Sequence, residues 1–352
     1  MKVIFATLLG AALFAGCCGR QTAPERMEAR YLYTADYMAD PSAHVFDDTL
    51  YVYASHDRLS EVTDPADGAH FDMVDCHVLR VADPQKGEAE DLGAALSLEQ
   101  IPWAAKQLWA PDATRREGRW YLYFPAKDST GIFRIGVAAA DRPEGPFTAQ
   151  PEPMEGAYSI DPAVFEDEGA YYLYFGGLQG GQLQRWRDNA LLEEDALPED
   201  DEPALAPRVA RLSEGMLSLA EPSRPVQILD AAGRPLTAGD AHRFFEAAWL
   251  HKHAGLYYFV YSTGTTHLIC YATGDSPYGP FTFRGELMSP VEGWTTHPST
   301  VEYGGRWYLF HHDSALSGRS PLRSLKAAEF SHRDDGTLTP VAGKPERKET
   351  DH

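Results

Sequence analysis

The sequence predicts an all-β fold, a five-bladed β-propeller, from three observations. One strand–turn–strand phrase recurs five times, its returning strand is apolar on both faces, and further strand candidates fill the intervals. The phrase begins at Asp40 (DPSAHVFDDTLYVYAS), Asp112 (DATRREGRWYLYFPA), Asp161 (DPAVFEDEGAYYLYFGG), Glu246 (EAAWLHKHAGLYYFVYST) and His297 (HPSTVEYGGRWYLFHHD). In each copy an ionisable residue opens a short strand, Gly or Asp makes the turn, and a run rich in Tyr, Trp, Leu and Val returns. That is a β-hairpin in sequence form.

The returning runs (YVYAS, YLYFP, YLYFG, YFVYS, YLFHH) are nearly continuous apolar stretches rather than alternating ones. Strands of that kind are covered on both sides, as they are when neighbouring sheets pack face to face. The copies stand roughly 50 to 85 residues apart, which leaves room for more strands, and FRIGVAAA and HLICYAT supply candidates. Two intervening strands are followed by near-identical loops, PEGPFT at 143–148 and PYGPFT at 277–282. They read as one loop in two blades, although Pro-Gly pairs also simply punctuate turns.

Between Arg185 and Arg243 the chain carries an acidic, Pro-rich stretch (LLEEDALPEDDEPALAP) and then the helix-like ARLSEGMLSLAE. Residues 185–243 therefore read as an inter-blade insertion, placed on the substrate-facing rim because long loops in compact domains are usually functional or disordered. The propeller itself is expected over 29–340, with a linker at 18–28 and a charged tail at 341–352. Residues 1–17 (MKVIFATLLGAALFAGC) combine one Lys, an apolar run from Val3 to Ala15 and small residues before Cys17, which is an export signal. The run is too short for a permanent span, and Ala15-Gly16-Cys17 resembles the end of a bacterial lipobox. The expected product is an exported lipoprotein that meets the membrane only through an anchor at Cys17, with plain secretion as the alternative.

The chain carries 52 acidic and 31 basic residues, for a net charge of −21, so its surface repels a phosphate backbone and nucleic acid is excluded as a partner. Cys76 and Cys270 are too few for a disulfide framework and read as two buried thiols. No HExxH, paired CxxC or EF-hand pattern supports a zinc or regulatory calcium site.

In a propeller the innermost strand of each blade lines the central channel, so the residues that open it point at one small volume. Asp40, Asp112, Asp161, Glu246 and His297 all hold that position. Carboxylates gathered in unlike environments are what hydrolysis of a glycosidic bond requires: one protonated to serve the leaving oxygen, one charged to activate water. Taken singly, an Asp at a strand start is more often a turn or capping residue.

The chain resembles glycoside hydrolase family 43, in its α-L-arabinofuranosidase and β-xylosidase branch. The likeness runs from about Tyr31 to about Glu329, through ADPSAHVF, YASHD, FDMVDCHVL, LWAPDA, YLYFPAKD, SIDPAVF, FGGLQGGQLQ, FFEAAW, YSTGTTH, WTTHPSTVE and HHDSALSG in order. The resemblance implies that Asp40 is the general base, Asp161 the acid that raises the pKa of the proton donor and orients it, and Glu246 the general acid. Inversion at the anomeric carbon follows, with base and acid roughly 6.5–9.5 Å apart to admit water. Phe244, Phe245 and Trp249 are expected to bury Glu246 in part. Asp112 has no catalytic step in the family and reads as a structural residue beside Trp109.

The resemblance further implies calcium in the channel, with His297 as the protein ligand and water between. A neutral imidazole is a poor first choice for calcium, so a structural or electrostatic ion is expected, and no organic cofactor. Phe46, Trp109 and Phe124 are candidates to wall a single sugar or else to pack blades. Arg323, with Arg319 as the alternative, is the candidate cation beside the carboxylates. His267 and His77 either hydrogen-bond substrate hydroxyls or sit satisfied in the channel wall. Two departures stand out: Pro298 follows His297 where relatives often carry a second His, and the last blade reads HHD rather than YHD. The implied activity is an inverting exo-glycosidase that releases terminal α-L-arabinofuranosyl or β-D-xylosyl units from plant hemicellulose. An endo-arabinanase and a non-catalytic carbohydrate-binding propeller are the alternatives, and the presence of all three acids argues against the last.

Overall fold

The computed structural model describes residues 27–60, 62 and 68–343. The export signal with Cys17, nearly all of the linker and residues 344–352 of the tail lie outside the described residues.

Each copy of the repeated phrase folds as an antiparallel hairpin. Met38–Phe46 pairs with Thr49–His56, Asp112–Arg116 with Arg119–Asp128, and Ala163–Asp167 with Ala170–Phe175. Phe244–His253 pairs with Leu256–Thr263, and Ser299–Tyr303 with Arg306–Asp313. The turns fall where a left-handed residue is needed: Asp47 and Asp48 at φ 48° and 60°, Gly169 at φ 82°. A third strand then joins each returning strand: Asp75–Asp83, Phe133–Ala140, Arg208–Arg211, Ile269–Gly274 and Ser324–Phe330. The first four sheets continue outward to Glu88–Ser97, Thr148–Ala149, Arg224–Pro225 and Phe281–Met288.

The last of these sheets takes its outer strand from the other end of the chain. Arg30–Tyr31 pairs with Ser324–Phe330, and the Tyr31 hydroxyl and Lys326 Nζ both donate to Asp313, at 3.0 Å each. The ring of a propeller is thereby fastened near its start, and the architecture is all-β in a propeller arrangement. The returning strands are covered on both faces as their composition predicts; in Leu256–Thr263 every residue after the first is buried. Tyr123, Phe175, Phe259 and Phe281, contributed by three different sheets, form part of one apolar cluster. Cys76 and Cys270 are buried free thiols, and the Gly-Pro bonds of the two repeated loops are both cis.

Residues 185–243 differ from a pure insertion. Arg208–Arg211 and Arg224–Pro225 are the third and fourth strands of the sheet begun by Ala163–Asp167. The helix-like ARLSEGMLSLAE is not helical: Leu212, Met216 and Leu219 have helical spacing, but Met216 turns at φ 62° and Leu212 bridges to Leu219. Pairing with the exposed edge of Ala170–Phe175 outweighs a weak helical preference, and Leu212 and Met216 are buried in the core all the same.

The inner strands begin with kinks. Asp40, Asp161 and His297 stand at φ 53°, 55° and 39°, and Ala247, beside Glu246, at φ 58°. Register shifts mark the bulges between Ala39 and Ser42 and between Glu246 and Trp249. A bulge with a left-handed residue re-aims a side chain out of the pleat. Asp112 ties three inner strands instead: it accepts from Ser42 Oγ and the Val164 amide and lies 2.6 Å from His44 Nε2. Asp112→Ala strands a buried amide and frees an imidazole, so it is expected to lower unfolding stability by about 2–5 kcal/mol. Urea denaturation measures this, and a midpoint equal to that of the parent protein would contradict the tie.

Candidate active site

The kinked strand starts open on one cavity of about 710 Å³, and Asp40, Asp161, Glu246, His297, Arg323 and Trp109 all line it. Phe71, Met73, Ile160 and Phe245 supply apolar wall, and Trp294 and Leu197 stand at the rim, half-exposed.

Asp40 is held charged. Arg323 Nη1 donates to its Oδ1 at 2.8 Å and Nη2 to its Oδ2 at 3.2 Å, while Ser55 Oγ donates to Oδ2 at 2.7 Å. Burial alone would raise this carboxyl, but the guanidinium outweighs it and brings the pKa down to about 2. The Asp40 amide donates to His312 Nδ1 at 2.9 Å, so that imidazole is neutral at Nδ1, and its burial lowers its pKa further. A carboxylate has about four lone-pair positions; three are taken here, which leaves one for a water.

Glu246 sits in the opposite situation. Burial first, then the Asp40 charge, push its pKa up to about 7, and its side chain receives no hydrogen bond from the described residues. Asp161 is pushed up as well, by burial and by Glu246 and Asp40, but its Oδ2 accepts the Ala247 amide at 2.9 Å. Two carboxyls that repel one another at close range share one proton. The amide favours charge on Asp161, so the proton belongs on Glu246. His297 Nδ1 lies 3.7 Å from Asp40 Oδ1 and 4.0 Å from Asp161 Oδ2, which brings both carboxylates to one imidazole. Burial lowers the His297 pKa to about 4, so the ring is neutral.

The "Glycosyl hydrolases family 43" model matches residues 90–200. A xylosidase/arabinosidase of Bacteroides ovatus is 56% identical over 324 residues, covering 91% of this chain and all of the relative. The chain belongs to glycoside hydrolase family 43. A solved family-43 enzyme of Xanthomonas citri in complex with xylotriose is 57% identical, with a TM-score of 0.85 over 90% of this chain and 94% of that one. A β-xylosidase/α-arabinofuranosidase from a compost metagenome, solved with xylotriose in a calcium-free form, is 52% identical, with a TM-score of 0.88 over 92% and 100%.

Within this family-43 site the sequence places some residues well and others poorly. Asp40, Asp161, Glu246, His297, Arg323 and Trp109 meet at the cavity; Trp109 Nε1 donates to the Phe71 carbonyl at 2.8 Å. Arg319 is exposed, so the cation is Arg323. Phe46 and Phe124 are not cavity walls. Phe46 stacks on His44 and meets Trp120 edge-on, and Phe124 is fully buried against Trp103, both between sheets. His267 touches the rim residue Trp294, and His77 lies away from the cavity beside Asp75 and Asp91. Of the three expected neighbours of Glu246, only Phe245 faces the cavity.

The main omission is Asp57, which closes YASHD. It accepts from the Arg323 amide at 2.7 Å, from Nε at 2.8 Å and from Nη2 at 2.7 Å, although burial still raises its pKa to about 6. Phe71, under the Arg323 guanidinium at 4.6 Å, and Met73 were also missed. They lie on a stretch without periodicity.

Arg323→Gln leaves two buried carboxylates without a counter-charge, a change that costs about 3–5 kcal/mol. In the parent protein the folded Asp40 pKa lies below its unfolded value, so its contribution is present above that value and is lost as pH falls towards about 2. In the variant the Ser55 hydrogen bond is left to oppose burial without the guanidinium, so the deficit should grow as pH rises from about 4 to 7. Urea unfolding across that range reads it; a pH-independent deficit would refute the pairing as the source of the low pKa.

Proposed function

We propose that this chain is an inverting exo-glycosidase, a five-bladed propeller over residues 29–340, that releases terminal β-D-xylosyl or α-L-arabinofuranosyl units from arabinoxylan, arabinan or xylo-oligosaccharides. The observation that carries the reading is the split between two carboxyls of one cavity, Asp40 at about 2 and Glu246 at about 7. At neutral pH the first is charged and the second is poised to give up a proton, which is the pairing glycoside hydrolysis needs. The names of the relatives, xylosidase/arabinosidase and β-xylosidase, support the substrate class.

In this mechanism Asp40 takes a proton from a water on one face of the sugar ring, and the water oxygen bonds to the anomeric carbon. Glu246 protonates the glycosidic oxygen as its bond to that carbon breaks, so the product has the inverted configuration. Asp161 keeps the proton on Glu246 through its own charge. Arg323 orients Asp40, and Trp109, Phe71 and Phe245 exclude water around the sugar. Asp195 and Leu197, from the 185–243 segment, add to the cavity wall beside Gln184, which favours an end-on pocket over the open groove of an endo-arabinanase.

The calcium implied at His297 finds little fit here. Calcium takes six to eight oxygens, while His297 offers a neutral imidazole, and although Asp40 and Asp161 each approach it within 4.0 Å, the three do not form a set of donors all within 4.8 Å of one another. An ion at this point would be held chiefly through its own water shell, and no step above runs through one. Export and lipidation at Cys17 remain part of the proposal, supported by the sequence of residues 1–17.

Two variants test the acid assignments. Glu246→Gln should lower kcat on nitrophenyl xyloside and arabinofuranoside about 10²–10⁴-fold while xylose binding persists. Activity of the parent protein should fall as pH rises through about 7, where Glu246 loses its proton. Asp161→Asn removes a neighbouring charge and should move that limb about one to two pH units down. Proton NMR of the first product should show the inverted anomer; a retained anomer, or an unmoved limb in Asp161→Asn, would remove the assignment.

A further inference from the structure

Away from the cavity, the first sheet gathers two imidazoles and a carboxylate. Ser55, in Thr49–His56, pairs with Cys76, in Asp75–Asp83, so His56 lies across from Asp75. His77 is two residues further on and shares that face of the sheet. His56 Nδ1 stands 2.9 Å from Asp75 Oδ1, and His77 Nε2 stands 3.8 Å from Asp75 Oδ2. One donor atom from each of the three lies within 4.8 Å of the others, the one such group among the described residues. The side chains are 23%, 24% and 14% exposed, so an ion has a way in.

The second observation concerns the opposite ring nitrogens. His56 Nε2 is 3.2 Å from Asp36 Oδ2, and His77 Nδ1 is 3.0 Å from both oxygens of Asp91. Asp91 is itself fixed, accepting the Gly93 amide at 2.9 Å. A metal-bound imidazole characteristically donates its other N–H to a carboxylate, which sets the tautomer and aims the free nitrogen at the ion. Both imidazoles here are arranged that way, with their remaining nitrogens turned to Asp75.

We propose that His56, Asp75 and His77 form a binding site for a divalent transition metal, zinc by its donor set, with Asp36 and Asp91 orienting the imidazoles. Two nitrogens and one carboxylate oxygen, with a fourth position left for water, match zinc, whereas calcium prefers oxygen throughout. For bonds of about 2.0–2.1 Å the edge of the coordination tetrahedron is about 3.4 Å. The two imidazoles meet different oxygens of Asp75, Oδ1 at 2.9 Å and Oδ2 at 3.8 Å, so for one oxygen to serve as the third ligand the carboxylate must turn, and donors that already lie within 4.8 Å of one another close by side-chain rotation. The ion would cross-link two strand ends next to Asp57, the partner of Arg323. The site stands apart from the hydrolase reading, and its test does not use activity.

Calorimetric titration of Zn²⁺ into the chelator-treated full chain should give one ion per chain. His56→Gln and His77→Gln should each abolish that binding with the circular dichroism spectrum unchanged, and Asp91→Asn should weaken it about 10–100-fold. Should either histidine variant misfold, ¹H–¹⁵N spectra of the parent protein's histidine rings decide the matter: shifts at His56 and His77 on adding Zn²⁺ support the site. No saturable micromolar binding, binding that survives both variants, or ring shifts confined to other histidines such as His251 and His332 would overturn it and leave a proton-bridged cluster only.

Discussion

Four carboxyl groups crowd this site, and a single guanidinium decides how their charge is distributed. Arg323 gives Nε and Nη2 to Asp57 and Nη1 and Nη2 to Asp40, and Nη1 also reaches Thr295 Oγ1 at 3.2 Å. That uses the planar fork in a way no ammonium could, because the donors must diverge toward two acceptors in fixed directions. Asp40 gains the guanidinium's hydrogen bonds and stays ionised, while Glu246, which no described residue contacts by hydrogen bond, feels Arg323 only through its charge, and burial and repulsion outweigh it. The difference between these two carboxyls is therefore set less by their own chemistry than by which of them Arg323 can reach by hydrogen bond.

That reach depends on backbone geometry. Asp40, Asp161 and His297 occupy left-handed positions at the start of inner strands, and Glu246 is followed by one at Ala247. An Asp tolerates this conformation better than most residues, since its short side chain bonds locally. Asp112 opens an equivalent strand without the kink, points into hydrogen bonds with Ser42 and Val164, and becomes a tie between sheets. One repeated position thus faces the cavity at Asp40 and Asp161 and ties strands together at Asp112, and the backbone torsion differs between the two cases.

The sequence made the hairpins and the convergence of Asp40, Asp161 and Glu246 legible because both follow from local signals: turn residues, apolar runs and an ionisable residue at a constant offset. It did not distinguish Trp109 from Phe46 and Phe124, since in sequence a core aromatic looks the same whether it meets a neighbouring sheet or a cavity. Asp57 was hidden for the opposite reason. It ends an ordinary strand, and only the fold brings it to Arg323, 266 residues away along the chain. The segment around Met216 misled through periodicity, because helical spacing of three apolar residues carries little weight beside an unpaired strand edge.

Glu246 and Asp40, the proposed acid and base, also pull stability in opposite directions. Asp40, lowered to about 2, favours the folded state once pH exceeds its unfolded value; Glu246, raised to about 7, binds its proton more tightly when folded and so opposes folding increasingly as pH rises from about 4.5 to 7. The proposed chemistry requires Glu246 to stay in that unfavourable setting, since a hydrogen-bond partner that relieved it would also release the proton at lower pH. A site of this kind therefore cannot be optimised for stability at alkaline pH without losing its acid. The compensation must come from groups outside that pair, of which Arg323 is one; Asp57, whose own pKa burial raises to about 6, adds to the cost instead.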